Sequence, residues 1–87
     1  MKWTVEFTPG SERDLLRLQT APRLRVARAI AKLKDDPFPT GREKLRGYAS
    51  LWRIRVGDFR VVYAVDESRR SLTITRVRHR KEVYRDL

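Results

Sequence analysis

Trp3, Val5 and Phe7 alternate with Thr4 and Glu6, the period of a strand with one face turned inward. Thr8-Pro9 follows as an N-cap with proline at the first helical position, where its missing N–H has no helical partner to lose. Leu15 and Leu18 share a helical stripe with Leu16 beside it, and this helix is expected to end near Gln19 because Ala21-Pro22 restarts the chain. Val26, Ile30 and Leu33 mark a second helix from about Pro22 to Lys34, stopped by Asp35-Asp36-Pro37 and Pro39. Residues 37–47 read as a loop. The period then drops to two. Leu51–Val56 and Phe59–Val65 are expected as strands around Gly57-Asp58, a two-residue hairpin loop, and Leu72–Arg80 as a third, rich in β-branched residues. Lys81–Leu87 has room for one or two helical turns. The order β-α-α-β-β-β-α predicts one α+β domain over residues 1–87, a small antiparallel sheet against an N-terminal αα-hairpin.

The tight turn sets a register. Val56 should face Phe59, Arg55 Arg60, Ile54 Val61, and Trp52 Tyr63. One side of the hairpin then carries Trp52, Ile54, Val56, Phe59, Val61 and Tyr63, and the other gathers Arg53, Arg55 and Arg60. A one-residue slip would drive Arg53 and Arg55 into the core, so the register is strongly specified. Like charges directly opposed cost up to ~1 kcal/mol per pair, which makes the cluster a candidate anion site. The last strand is less regular. Leu72 and Ile74 share a parity that continues into Arg76 and Arg78, whereas Val77 has the other, and a bulge between Ile74 and Val77 would reconcile them. In an extended strand only one of His79 and Arg80 can face the arginine cluster.

Composition sharpens this. Twenty-one Lys+Arg against eleven Asp+Glu leave +10, and sixteen of the basic residues are arginine, whose planar fork suits bidentate phosphate contacts. Residues 1–41 carry +3 (8 basic, 5 acidic) and residues 42–87 carry +7 (13 basic, 6 acidic), so the excess follows the sheet region. An anionic partner is implied. With no cysteine and one histidine, thiolate and multi-histidine metal sites are excluded, and no cofactor or metal is expected. No apolar run approaches the ~20 residues of a membrane-spanning helix and the first residues lack a secretory pattern, so a cytoplasmic setting without membrane attachment is expected.

Three stretches carry a resemblance to a known family: Lys44-Leu45-Arg46-Gly47, the run Leu51-Trp52-Arg53-Ile54-Arg55-Val56-Gly57-Asp58-Phe59-Arg60-Val61-Val62-Tyr63, and Val77-Arg78-His79-Arg80-Lys81-Glu82-Val83-Tyr84. In combination they resemble the RelE toxins of the RelE/ParE superfamily over essentially the whole chain. The resemblance implies a ribosome-dependent messenger RNA endonuclease, the toxin of a type II toxin–antitoxin system, held inactive by a cognate RelB-like antitoxin. It implies ribosome, messenger RNA and ribosomal RNA as partners, and operator DNA only indirectly through the antitoxin complex. By the same resemblance the catalytic positions are Arg53, Arg55, Arg60, Arg80 and Tyr84. Arginine stands at 53 and 55 where the family often has lysine, which keeps the charge but not a titrating group.

Metal-independent RNA cleavage uses the ribose 2′-OH as nucleophile, and Arg53, Arg55 and Arg60 would stabilise the charge that builds on the phosphate. Two proton acceptors stay open: His79 by its ordinary pKa, and Tyr84 by the resemblance, with nearby arginines favouring its phenolate. Lys44, Arg46, Arg78, His79 and Lys81 are expected to contact RNA. The alternatives are a ParE-like, gyrase-inhibiting toxin and a non-catalytic RNA-binding module.

Overall fold

The computed structural model describes residues 3–45, 47 and 50–81. A five-stranded sheet is built from β1 (Thr4–Phe7), β2 (Glu43–Lys44), β3 (Leu51–Val56), β4 (Phe59–Asp66) and β5 (Ser71–His79). Two helices, α1 (Pro9–Leu16) and α2 (Thr20–Leu33), lie between β1 and β2 in the chain. The strand order is β1-β5-β4-β3-β2. Residues 82–87, where the sequence predicts a closing helix, lie outside the described residues.

The sheet is mixed rather than antiparallel. β2 to β5 run antiparallel to their neighbours, but β1 pairs with β5 in parallel, Thr4 opposite Ser71 and Phe7 opposite Ile74. Alternation of side chains fixes which face a strand buries, not its direction, so the sequence pattern carries no signal for this. The short strand β2 also falls in the segment read as a loop.

Both helices follow from local chemistry. Thr8 caps α1, its Oγ1 accepting the Ser11 N–H at 3.1 Å, with Pro9 entering behind it. The helix stops at Leu16, short of the expected Gln19. α2 begins at Thr20, two residues ahead of Pro22. A proline in the first turn removes no helical hydrogen bond, so the helix starts before it.

The core lies between α2 and one face of the sheet. Val26, Ile30 and Leu33 meet Val61, Tyr63, Leu72, Ile74 and Val77. Trp52, Ile54, Val56 and Phe59 pack against this cluster, as the hairpin register requires. The pairs are Val56 with Phe59, Arg55 with Arg60, Ile54 with Val61 and Trp52 with Tyr63. Gly57 has φ of 60°, the left-handed value that the first position of a type II′ hairpin turn demands.

A bulge sits where the parity conflict placed it. Val62 pairs with Arg76 but Tyr63 with Ile74, leaving Thr75 as the extra residue of β5. Its hydroxyl donates to the Val62 carbonyl and its own carbonyl accepts from Thr8, both at 3.2 Å. One inserted residue turns Ile74 and Val77 inward and Arg76 and Arg78 outward.

Two polar groups pin this packing. The Tyr63 hydroxyl donates to the Pro37 carbonyl at 2.8 Å, tying the loop after α2 to the sheet, and burial pushes its pKa up to about 12. Asp14 of α1 is 5% exposed and accepts the Val77 N–H at 3.0 Å, where β5 runs on beyond β1. The same oxygen lies 3.5 Å from Arg76 Nη1 and 3.4 Å from Arg78 Nε.

Tyr63→Phe should leave the Pro37 carbonyl without its donor and cost about 1–3 kcal/mol, or roughly 4–8 °C in Tm per kcal/mol. With a folded pKa above that of the unfolded chain, Tyr63 contributes stability that is complete below pH ~10 and is lost as pH rises towards 12. Alkaline denaturation of the wild type and Tyr63→Phe should therefore converge across that window. Asp14→Asn keeps an acceptor for Val77, whereas Asp14→Ala removes acceptor and charge together. The alanine variant should lose about 3 kcal/mol, the low end for a broken buried pair because both arginines keep some water, and the asparagine variant clearly less in urea melts.

Candidate active site

Register places the basic residues in rows across the outward face of the sheet, the face away from α2. Arg55 stands opposite Arg60, and Arg60 opposite Arg78. In the adjacent row Glu43 faces Arg53, Arg53 faces Val62, and Val62 faces Arg76. Val62 is fully buried on this side, flanked in register by Arg53 and Arg76, whose stems have the length to cover it while their heads reach water. Leu45 and Leu51 complete a small apolar patch there.

The guanidiniums are not equivalent. Asp14 draws Arg76 and Arg78 towards the α1 edge of the sheet. Arg53 Nη2 bonds Glu43 Oε2 at 3.1 Å, and its side chain is 16% exposed. Arg60 folds back on the turn, its Nη1 donating to the carbonyls of Phe59 at 3.1 Å and Gly57 at 3.3 Å. Arg55 is exposed.

The mutual influence is visible in proton affinities. Arg60 is lowered from its ordinary value, first by desolvation and then by the charges of Arg55, Arg53 and Arg80, while remaining protonated at any physiological pH. Glu43 is held below the usual carboxylate range, first by the Arg53 hydrogen bond and charge, with Arg55 and Arg60 adding to it. Arg53, Arg55, Arg60 and Arg80 thus form one electrostatic neighbourhood. Arg80 enters it from the end of β5, its N–H donating to the Asp58 carbonyl at 2.8 Å. Such a set presents guanidinium donors and concentrated positive charge to an anion.

Other expected residues lie elsewhere. His79 pairs with Phe59 and turns to the helix side, its ring edge-on to Phe59 with centroids 5.7 Å apart. Its Nδ1 accepts the Lys81 N–H at 3.3 Å. Register therefore turns His79 away from Arg53, Arg55 and Arg60, although it lines a small pocket with Arg78 at the α1 edge, and Arg80 is the one of the pair that adds its charge to Arg60. Lys44 pairs with Trp52 and also sits on the helix side, its Nζ 5.4 Å from the Trp52 ring centre. Lys81 is exposed in the turn after β5. Arg46 and Tyr84 fall outside the described residues. A cavity of about 620 Å³ opens between α2, the 36–41 loop and β3, with Leu33 and Ile54 in its lining and Lys32 and Arg55 among its charged residues. It adjoins the arginine cluster through Arg55 alone.

Sequence reasoning missed Glu43 and Asp14. Glu43 sits in the strand read as a loop, so its face had no pattern to reveal it. Asp14 did leave a signal, a carboxylate three residues on from Ser11 and beside Leu15 on the inward stripe of α1.

A family model described as the ParE toxin of the type II toxin–antitoxin system parDE matches residues 5–84. Toxin RelG of Mycobacterium tuberculosis is 34% identical over 88 residues, spanning 98% of this chain and 99% of that toxin. The putative toxin RelE1 of Methanocaldococcus jannaschii is 29% identical over 89 residues, with 99% of each covered. Among solved structures, the archaeal RelE–RelB complex from Pyrococcus horikoshii aligns with a TM-score of 0.80 at 27% identity, over 92% of this chain and 97% of that one. The toxin–antitoxin complex RelBE2 of M. tuberculosis aligns with a TM-score of 0.80 at 30% identity, over 91% and 99%. On the extent of the family model and of these full-length matches, the chain belongs to the RelE/ParE superfamily and is a RelE-type toxin of a type II toxin–antitoxin system.

Proposed function

We propose that this toxin is a ribosome-dependent messenger RNA endonuclease and that the outward arginine face receives the scissile phosphodiester. The observation that carries the reading is the direct opposition of Arg55 and Arg60, with Arg53 next along the same face and Arg80 within electrostatic reach. Like charges held in register are unfavourable alone and become favourable around an anion. In the reaction the 2′-oxygen of a ribose attacks the adjacent phosphorus and loses its proton to a base. The bond to the 5′-oxygen of the next nucleotide breaks and that oxygen takes up a proton. The products are a 2′,3′-cyclic phosphate and a 5′-hydroxyl. Arg53, Arg55 and Arg60 stabilise the charge on the phosphate oxygens, and Arg80 the leaving oxygen.

The register that turns His79 away from Arg53, Arg55 and Arg60 favours Tyr84 as the proton acceptor, as the resemblance implies. Glu43 tempers the repulsion among the guanidiniums and gives way when phosphate binds Arg53. Arg46, Arg78 and Lys81 contact RNA around the scissile site in this reading. A RelB-type antitoxin is the partner, supported by the RelE–RelB complex of P. horikoshii and the RelBE2 complex of M. tuberculosis; an acidic, partly disordered segment of such a partner would suit the basic surface.

A second reading rests on the family model, which is named for ParE toxins: inhibition of DNA gyrase. Primer-extension mapping of message on translating ribosomes, run beside a supercoiling assay, decides between them. Wild type should cut message and leave supercoiling intact. Arg60→Ala should cut on the order of 10²-fold more slowly. Tyr84→Phe should still bind ribosomes but lose cutting. Intact message with stalled supercoiling would overturn the nuclease reading in favour of the gyrase one.

A further inference from the structure

The far side of the sheet from the arginine rows carries a second set of cations, mounted on aromatic rings. Trp3, Phe38 and Trp52 form a ladder of edge-to-face contacts, with centroids 6.3 Å apart for Trp3 and Phe38 and 5.9 Å for Phe38 and Trp52. All three rings are half-buried, and those of Trp3 and Trp52 pack against the core. Arg42 lies 5.4 Å from the Phe38 centroid and 5.1 Å from that of Trp52, Lys44 lies 5.4 Å from Trp52, and Arg70 lies 5.6 Å from Trp3. Each of these cations belongs to an exposed residue.

Two features separate this ladder from incidental surface. Arg70 has φ of 49°, a left-handed conformation costing roughly 1–2 kcal/mol in a residue with a Cβ. Its carbonyl accepts the Thr4 N–H at 3.0 Å, which helps fix the backbone with the guanidinium against Trp3. Arg42 is likewise pinned, its Nη1 donating to the carbonyls of Phe38 at 3.0 Å and Pro39 at 3.3 Å while Nε and Nη2 make neither bond. Asp36 is the acid closest in the chain to Phe38, and its Oδ1 accepts the Phe38 N–H. Ordered cations on aromatic rings combine phosphate donors with apolar surface for unstacked bases, the combination used by single-strand binders.

We propose that Arg42, Lys44 and Arg70 on the Trp3–Phe38–Trp52 ladder form a second binding strip for single-stranded RNA. The strip is joined to the arginine rows around the β2 edge, because β2 turns Glu43 to one face and Lys44, with Arg42 before it, to the other. RNA held at the scissile site thus continues over this edge on to the ladder. The proposal rests on the reading that the toxin acts on RNA, but it concerns binding and is tested without cleavage.

Both tryptophans of the chain lie in the ladder, so their fluorescence reports on it directly. The full-length protein is titrated with a short, end-labelled, 2′-O-methylated single-stranded oligonucleotide, which lacks the nucleophile and cannot be cut. Binding is followed by label anisotropy and by tryptophan emission. Saturable quenching should accompany the anisotropy rise. The Arg42→Gln/Lys44→Gln double variant should flatten the log–log salt dependence by about 1.4, roughly 0.7 for each phosphate that is no longer neutralised. Its thermal melt, measured in parallel, should stay cooperative and fall by no more than several degrees, because cation–π contacts of exposed residues are worth only about 0.5–1 kcal/mol each. Arg70→Gln, altered on a different loop, should weaken the quench independently.

Anisotropy that rises without quenching, or an unchanged salt slope in the double variant, overturns the strip. Equal quenching and salt slope with poly-glutamate overturns it in favour of an acidic protein segment. Message cleavage on ribosomes with no quenching would defeat this proposal and leave the nuclease reading standing. Quenching with intact message would do the reverse.

Discussion

The pairing of β3 with β4 around Gly57-Asp58 is the constraint on which the rest of the molecule depends. It places six apolar residues on the core side and aligns Arg55 with Arg60 on the other. Neither arrangement can shift without the other, because moving the strand by one residue exchanges its faces. The hydrophobic core is therefore what holds the guanidiniums together against their own repulsion. Burial of Val61 and Tyr63 at one face supplies the free energy that the crowded charges oppose at the other.

The bulge at Thr75 extends this arrangement across a third strand. Without the extra residue, Ile74 and Arg76 would share a face, and either an arginine would enter the core or Ile74 would leave it. With it, β5 contributes Leu72, Ile74 and Val77 inward and presents Arg76 and Arg78 outward. The Thr8 and Thr75 hydroxyls hold the irregularity in place, which links the cap of α1 to the strand that it adjoins. A local defect in the ladder thus serves both the core and the charged surface.

How much of this could be read from residues alone depends on whether a short-range signal existed. The hairpin was legible because two residues of turn chemistry fix a register, and the bulge because two parities collided within one strand. The side taken by His79 follows from the bulge as soon as its position is known. The parallel pairing of β1 was not legible, since strand direction is set by the path through α1 and α2. Glu43 was hidden because a two-residue strand has no period. Asp14 was visible as a carboxylate on an inward stripe, but its partners are more than sixty residues away in the chain, and nothing local points to them. Of the candidate site, the arginines on β3 and β4 were read from the turn, and Tyr84 lies beyond the described residues.

Asp14 has a consequence for how the molecule responds to disturbance. One carboxylate satisfies the Val77 amide and balances two guanidiniums, so the seating of α1 and the charge density of the sheet are linked quantities. Loosening the helix strips the counter-ion from Arg76 and Arg78 and raises the positive potential beside Arg60. Conversely, a polyanion resting on the sheet competes for those guanidiniums and weakens the hold on the helix. By reciprocity of linkage, whatever steadies α1 against the strand also tempers the attraction of the surface for anions.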